Sequence, residues 1–277
     1  MSDAKAQSYY ADGGELLDPV LAALDAAGRP TEAIDSDDLA ALDEFHGRGR
    51  SATVALLRAA GLRPAERVLD VGAGIGGPAR TMARHFGAEV CALDPTARFA
   101  ALAAELNRRC SLDDRITVVR GEAGALPFAD GRFDLLVNQA VWPSVEDKRA
   151  MFAEAHRVLA PGGRLAVFEV IAGPAVDQFA YPVPWANGPQ ESHLVDAAEA
   201  RRLLGEAGFE PLEWLTGPDA LVATLAPDQA GDPLVAAGAE GVDLSLLMPE
   251  FERRMTTLGE NVVEGRIELL FAVLARP

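Results

Sequence analysis

Between Gly14 and Gly61 apolar residues recur at threes and fours, in ELLDPVLAALDAAG, SDDLAALDEF and GRSATVALLRAAG, which predicts three helices. Ser36, ahead of Asp38 and Leu39, reads as the N-cap of the second, and Gly61 as the stop of the third. From Arg67 the period changes. RVLDVG, AEVCALD, ITVVRG, FDLLVNQAV and GRLAVFEVI are short apolar runs separated by helical stretches and Gly/Pro turns. That alternation predicts βαβ units and a parallel sheet. The nearly continuous apolar stretches LLV and LAVF fit strands covered on both faces.

After Ile171 the pattern breaks into AGPAVDQFAYPVPWANGPQ, rich in Pro, Gly and aromatics, which reads as a long loop or lid. A helix over about 196–207 and a strand over about 209–216 follow. A mostly helical insertion then leads to a closing strand in GRIELLFAVLARP, the seventh strand-like run.

Composition narrows the function. The 277 residues, 49% of them hydrophobic, suffice to bury a sizeable core. A formal net charge of −17, with no Lys/Arg stripe to reverse it locally, repels a phosphate backbone and argues against nucleic acid as a partner. Cys91 and Cys110 have neither metal-ligand spacing nor a disulfide framework, so no metal is expected and a reducing compartment is. The N-terminal stretch lacks the apolar core of a signal peptide, and no apolar run approaches the ~18 residues of a membrane span. A cytoplasmic protein without a membrane partner, monomeric or homodimeric, is the expectation.

The strongest chemical signal is VLDVGAGIGGPAR, in which an apolar strand runs into glycines and then a helix. Gly72, Gly74 and Gly76 allow a tight turn and a close backbone approach to a ligand. The helix behind them offers free N–H groups and a positive dipole end. The next strand ends at Asp94, 22 residues after Gly72, where a carboxylate can accept from both hydroxyls of a ribose. A dinucleotide would place two phosphates near Asp70, an awkward neighbour for them. S-adenosylmethionine carries an ammonium and a sulfonium, which an acidic strand end suits. Glu122, just past the third strand, can accept from an adenine amino group while the Ala123 N–H donates to a ring nitrogen; an exposed turn acid is the alternative reading of Glu122.

Taken together, VLDVGAGIGGPAR, the acidic end of CALDPT, GEAGALPF and HRVLAPGGRLAVFEV resemble the successive motifs of the class I S-adenosylmethionine-dependent methyltransferases, over about 42–172. LDEFHGRGRSAT and YPVPWA look closer to a small-molecule branch that includes amine, quinol and natural-product methyltransferases. The resemblance implies an α/β, Rossmann-like, seven-stranded mostly parallel sheet with helices on both faces. An N-terminal helical cap would span 1–61, the cofactor-binding core 62–173, a lid loop 174–195, a core helix and strand 196–217, a helical insertion 218–260 and the last core strand 261–277. It also implies that Asp70, Gly72 and Gly74, with Ala73, line the methionine moiety, that Asp94 and Pro95 meet the ribose, and that Glu122 and Ala123 meet the adenine. Asn138 and Gln139 would meet both cofactor and substrate. Relatives of the branch carry His where this chain has Ala140, so a base is missing at that position.

Methyl transfer needs an acceptor held in line and water excluded more than it needs a strong acid/base pair. His46, in EFHGRG, and His193, in QESHLV, are the histidines able to approach the cleft as bases, with Gln139 as a further catalytic candidate; helix capping and solvated-loop roles compete. His85 and His156 read as structural. Tyr10, Trp142, Tyr181 and Trp185 form a candidate aromatic substrate wall. Methyl transfer to an O, N or C atom of a small molecule leads. A cyclase or rearrangement enzyme retaining the cofactor, a nicotinamide oxidoreductase and a non-catalytic partner subunit are the alternatives.

Overall fold

All seven strand-like runs form strands of one sheet in the computed structural model, which describes residues 16–46, 48–224, 234–235 and 238–277. They are β1 (Arg67–Val71), β2 (Glu89–Asp94), β3 (Ile116–Arg120), β4 (Phe133–Gln139), β5 (Leu159–Ala172), β6 (Glu210–Thr216) and β7 (Ile267–Ala275). Their spatial order is β3-β2-β1-β4-β5-β7-β6. The first five pair in parallel; β7 lies antiparallel to both its neighbours, β5 and β6.

Eight α-helices fall among the described residues: α1 (Leu17–Ala26), α2 (Gly49–Ala59), α3 (Gly77–Phe86), α4 (Ala97–Arg109), α5 (Lys148–Val158), α6 (Ala197–Glu206), α7 (Gly217–Ala223) and α8 (Phe251–Val263). Because side chains alternate across a strand, the central strands feed two cores at once. Val68, Val137 and Phe168 pack with Leu24, Leu57, Met82 and Leu106 on one face. Leu69, Leu136 and Val167 pack with Phe152, Leu204 and Phe209 on the other. No helix among the described residues is long and apolar enough to cross a membrane.

The cap departs from the periodic pattern. Where SDDLAALDEF predicts a helix, the chain makes one 3-10 turn, Ser36–Leu39, and its cap is Asp35, accepting from the Asp37 N–H, rather than Ser36. The competing force is ionic: Arg50 binds Asp37, and Arg80 binds Asp43, with both arginines buried. Spreading those acids toward two separate elements is incompatible with continuing one helix. At the other end, α8 runs to Val263, past the expected boundary at 260, and β7 begins only at Ile267.

Candidate active site

The glycine turn opens at the carboxyl end of β1. Gly72, Gly74 and Gly76 have φ of +75°, +54° and +84°, the left-handed region that side chains disfavour. A methyl at Gly72 would also lie 2.4 Å from Val141 Cγ2. Asp94, at the end of β2, ties the turn down: one oxygen accepts from the Gly74 N–H at 2.9 Å, the other from the Thr96 N–H at 2.8 Å. Burial nevertheless pushes its carboxyl up to about 6. Asp70, 2% exposed and with one oxygen lacking any partner, is pushed up to about 8, chiefly by burial and secondarily by the charge of Glu44.

A cavity of about 340 Å³ lies over these strand ends. Gly72, Gly74, Asp94, Pro95, Glu122 and Ala123 line it. Gln139 and Ala140, at and just after the end of β4, join them, as does Trp185. Thus seven of the ten expected cofactor residues share one cavity wall. Asp70, Ala73 and Asn138 do not line it. Asn138 is buried and donates its amide to the Val71 carbonyl at 3.1 Å, holding β4 to β1.

The expected substrate and base residues scatter. Trp142, expected in the aromatic wall, is 1% exposed and packs edge-on against Phe152 inside the core. A large apolar ring beside a packed helix is simply better buried there. Tyr181 meets Phe179 edge-on in a satellite cluster behind the wall, and Phe179 in turn stacks on Trp185 at 6.1 Å. Tyr10 lies outside the described residues. His193 is half-buried and absent from the wall; its carbonyl accepts from Lys148 Nζ at 2.6 Å. Burial and the Lys148 charge lower the pKa of its imidazole.

His46 is also sealed from the cavity, its side chain 3% exposed and its ring edge-on to Phe168. It reaches the wall through hydrogen bonds. His46 Nε2 lies 2.7 Å from Glu44 Oε2 and 3.1 Å from Thr53 Oγ1; Thr53 donates to Glu44 at 2.8 Å, and Gln139 Nε2 donates to Thr53 at 3.0 Å. The tautomer of His46 sets its own role in this chain, but Thr53 has one proton, which it donates to Glu44. The amide of Gln139 is thereby oriented from behind.

Several wall residues had no chemical signal in the sequence. Phe45, Phe99, Val141 and Val145 supply apolar surface, and Glu146 and Asp147 supply carboxyl groups. Only Phe45 lay inside a motif, EFHGRG. Val141 owes its place to Glu169, a buried carboxylate on β5 that accepts the Val141 and Trp142 N–H groups at 3.0 and 3.1 Å. This grip holds Ala140 at φ +55° and folds the segment after β4 over Gly72. Nothing in the spacing of Glu169 announces it.

Residues 69–167 match the family model described as a methyltransferase domain. The sterol 24-C-methyltransferase of Kluyveromyces lactis is 31% identical over 181 residues, 61% of this chain and 48% of that protein. Methyltransferase GfsG of Streptomyces halstedii is 31% identical over 146 residues, 53% of this chain and 52% of that protein. The chain therefore spans about half the length of the curated relatives it matches. Among solved structures, geranyl diphosphate C-methyltransferase of Streptomyces coelicolor A3(2), crystallised with Mg2+, geranyl-S-thiolodiphosphate and S-adenosyl-L-homocysteine, gives a TM-score of 0.67 at 19% identity, over 100% of this chain and 98% of that chain. The [4+2]-cyclase SpnF gives 0.65 at 22% identity, over 100% and 96%. At such identities the likeness is one of fold.

Proposed function

We propose that this chain is a class I S-adenosylmethionine-dependent methyltransferase, a reading supported by the methyltransferase domain matched at residues 69–167, and that it transfers a methyl group to a small molecule held in the cavity above β1, β2 and β4. One observation carries the reading. The left-handed glycine turn, with Asp94 bound to it and the unpartnered carboxylate oxygen of Asp70 beneath it, fits a ligand that brings both a cation and a ribose.

In this reading Asp94, beside Pro95, receives the ribose hydroxyls through the lone pairs that Gly74 and Thr96 leave free. Glu122 and Ala123 take the adenine edge, and the backbone at Gly72 and Gly74 packs along the methionine moiety. When bound, the cofactor supplies an electrophilic methyl carbon on a sulfonium and leaves as S-adenosylhomocysteine. The chain's own contribution is positional. Phe45, Phe99, Val141 and Trp185 exclude water, and the oriented amide of Gln139 meets the acceptor. Neither His46 nor His193 serves as a direct base in this arrangement, since neither reaches the wall. A cytoplasmic enzyme of secondary metabolism completes the proposal, in keeping with two buried free thiols.

A second reading has one observation in its favour. The cavity wall among the described residues contains no histidine, lysine, arginine or cysteine, so a base for an acceptor hydroxyl would have to be a carboxylate of Asp94, Glu122, Glu146 or Asp147. A fold likeness to a cyclase accompanies it. Cyclisation of a bound molecule, with the cofactor as a fixed charge, would use the same apolar walls.

Calorimetric titration with S-adenosylmethionine and S-adenosylhomocysteine tests the cofactor, with micromolar binding expected and a loss of about 10- to 100-fold in Asp94→Ala. Turnover of a screened acceptor with stoichiometric release of S-adenosylhomocysteine separates transfer from cyclisation. Binding of neither nucleoside would end both readings.

A further inference from the structure

Two stretches of the cavity wall are remote in sequence: Ser144, Val145, Glu146 and Asp147 between β4 and α5, and Pro184 and Trp185 in the segment after β5. They are joined by hydrogen bonds centred on Lys148. This first residue of α5 is 4% exposed, and its Nζ donates to the Val145 carbonyl and to the His193 carbonyl, each at 2.6 Å. His193 is clasped at both backbone groups, because its N–H donates to the Pro143 carbonyl at 2.8 Å. Ser192, its neighbour in the chain, accepts from the Trp185 indole N–H at 3.0 Å. A short path of hydrogen bonds and backbone thus leads from the Lys148 ammonium to the aromatic ring of the wall.

For stability alone a lysine is a poor choice here. Burying an ammonium is unfavourable, and it pushes this one down to about 8 against the opposing charge of Glu169. A cation in the first turn of a helix also meets the positive end of the dipole. An apolar side chain of similar length would escape both penalties. What the ammonium offers instead is several donors on a single atom, able to bond carbonyls from two segments at once. Arg254 of α8, also buried, shows the same device at work nearby: it donates to the Val183 carbonyl and to Asn187 Oδ1, each at 2.6 Å. That grip holds the turn bearing Trp185 to α8, whereas Lys148 holds its continuation to the segment after β4.

We infer that Lys148 is a positioning residue for the methyl acceptor: by binding the Val145 and His193 carbonyls it fixes the spacing of the two wall stretches and, through Ser192, the pose of the Trp185 ring that encloses the acceptor. This rests on the reading of the cavity as the methyl-transfer site, in which Gly72, Gly74, Asp94 and Glu122 take the cofactor and Val145 and Trp185 are left to the acceptor. Lys148 itself does not line the wall, so it acts on the acceptor through these neighbours.

The test uses the full chain labelled with fluorotryptophan, whose signals from Trp142, Trp185 and Trp214 are assigned by single Trp→Phe variants and read by fluorine NMR. Lys148→Met removes the donors and keeps most of the length. It should move the Trp185 signal toward that of the free amino acid and raise its isotope shift in deuterium oxide, with the Trp142 and Trp214 signals unmoved. Ser192→Ala, which cuts the same path at a half-exposed residue, should move the Trp185 signal likewise, and combining the two should move it little further. An unmoved Trp185 signal in Lys148→Met overturns the inference. So do full additivity in the double variant and equal shifts of Trp142 and Trp185, which would make the lysine a packing element of the fold. Should Lys148→Met fail to fold, Lys148→Gln, uncharged and shorter than lysine, takes its place with the same outcomes. Calorimetry with S-adenosylhomocysteine accompanies each variant, with affinity within about threefold of wild type expected. A loss beyond about tenfold confined to the variants would overturn the assignment of Lys148 to the acceptor side, whereas wild type that does not bind at all would refute the cofactor reading itself.

Discussion

Gly72 concentrates two demands in one residue: a φ of +75° and the space that Val141 leaves for a hydrogen atom but not for a methyl. Gly72→Ala should therefore cost roughly 1–3 kcal/mol in backbone strain and push Val141 off the turn. Urea unfolding measures the first effect, and loss of S-adenosylhomocysteine binding the second. Asp70 invites a different experiment. With Glu169 it is pushed up to about 8 by burial, from ordinary values of 3.8 and 4.5. Folding therefore retains protons that the unfolded chain releases, and the resulting stability is complete below the ordinary values and is lost as pH rises through 8. Lys148, pushed down to about 8 by burial, acts in the opposite sense only from there upward. The melting temperature of the ligand-free protein should fall between pH 6 and pH 8, less so in Asp70→Asn. A bound cation favours the ionised carboxylate, so S-adenosylhomocysteine should raise the melting temperature more at pH 8 than at pH 6.

The segment between β4 and α5 shows how an element is held by something its own sequence does not contain. Glu169 reaches it from β5 and accepts its N–H groups, so Glu169→Ala leaves buried donors unsatisfied, a cost on the order of 3 kcal/mol by denaturant unfolding. Trp142→Ala, in the same segment, removes a core side chain and should cost about 3–5 kcal/mol, while Trp185→Ala, at the cavity, should change binding more than stability. The contrast also explains what the sequence made legible. Strands buried on both faces wrote themselves as unbroken apolar runs, and the glycine turn and Asp94 fell at strand ends that those runs located. Trp142 and Trp185 carry the same side chain in similar Pro-rich surroundings, and local pattern could not tell core from wall. Their difference comes from packing against Phe152 in one case and Phe179 in the other. Helical periodicity failed at SDDLAALDEF because its acids pair with Arg50 and Arg80, both remote along the chain.

At the scale of the whole molecule, both thiols face inward. Cys91 on β2 and Cys110 after α4 are buried and pushed up to about 11, so neither is a thiolate at neutral pH. The folded protein should react with a disulfide reagent at the rate of global opening, and both thiols should titrate at once in denaturant. The sheet order has a temporal side as well. Of the seven strands, β7 is synthesised last, yet it sits between β5 and β6. Until it emerges from the ribosome, those two strands present naked edges to any other extended segment nearby. The nascent chain thus spends its most vulnerable interval with most of its sheet already translated, and the final insertion both heals the gap and separates two surfaces open to mispairing between chains.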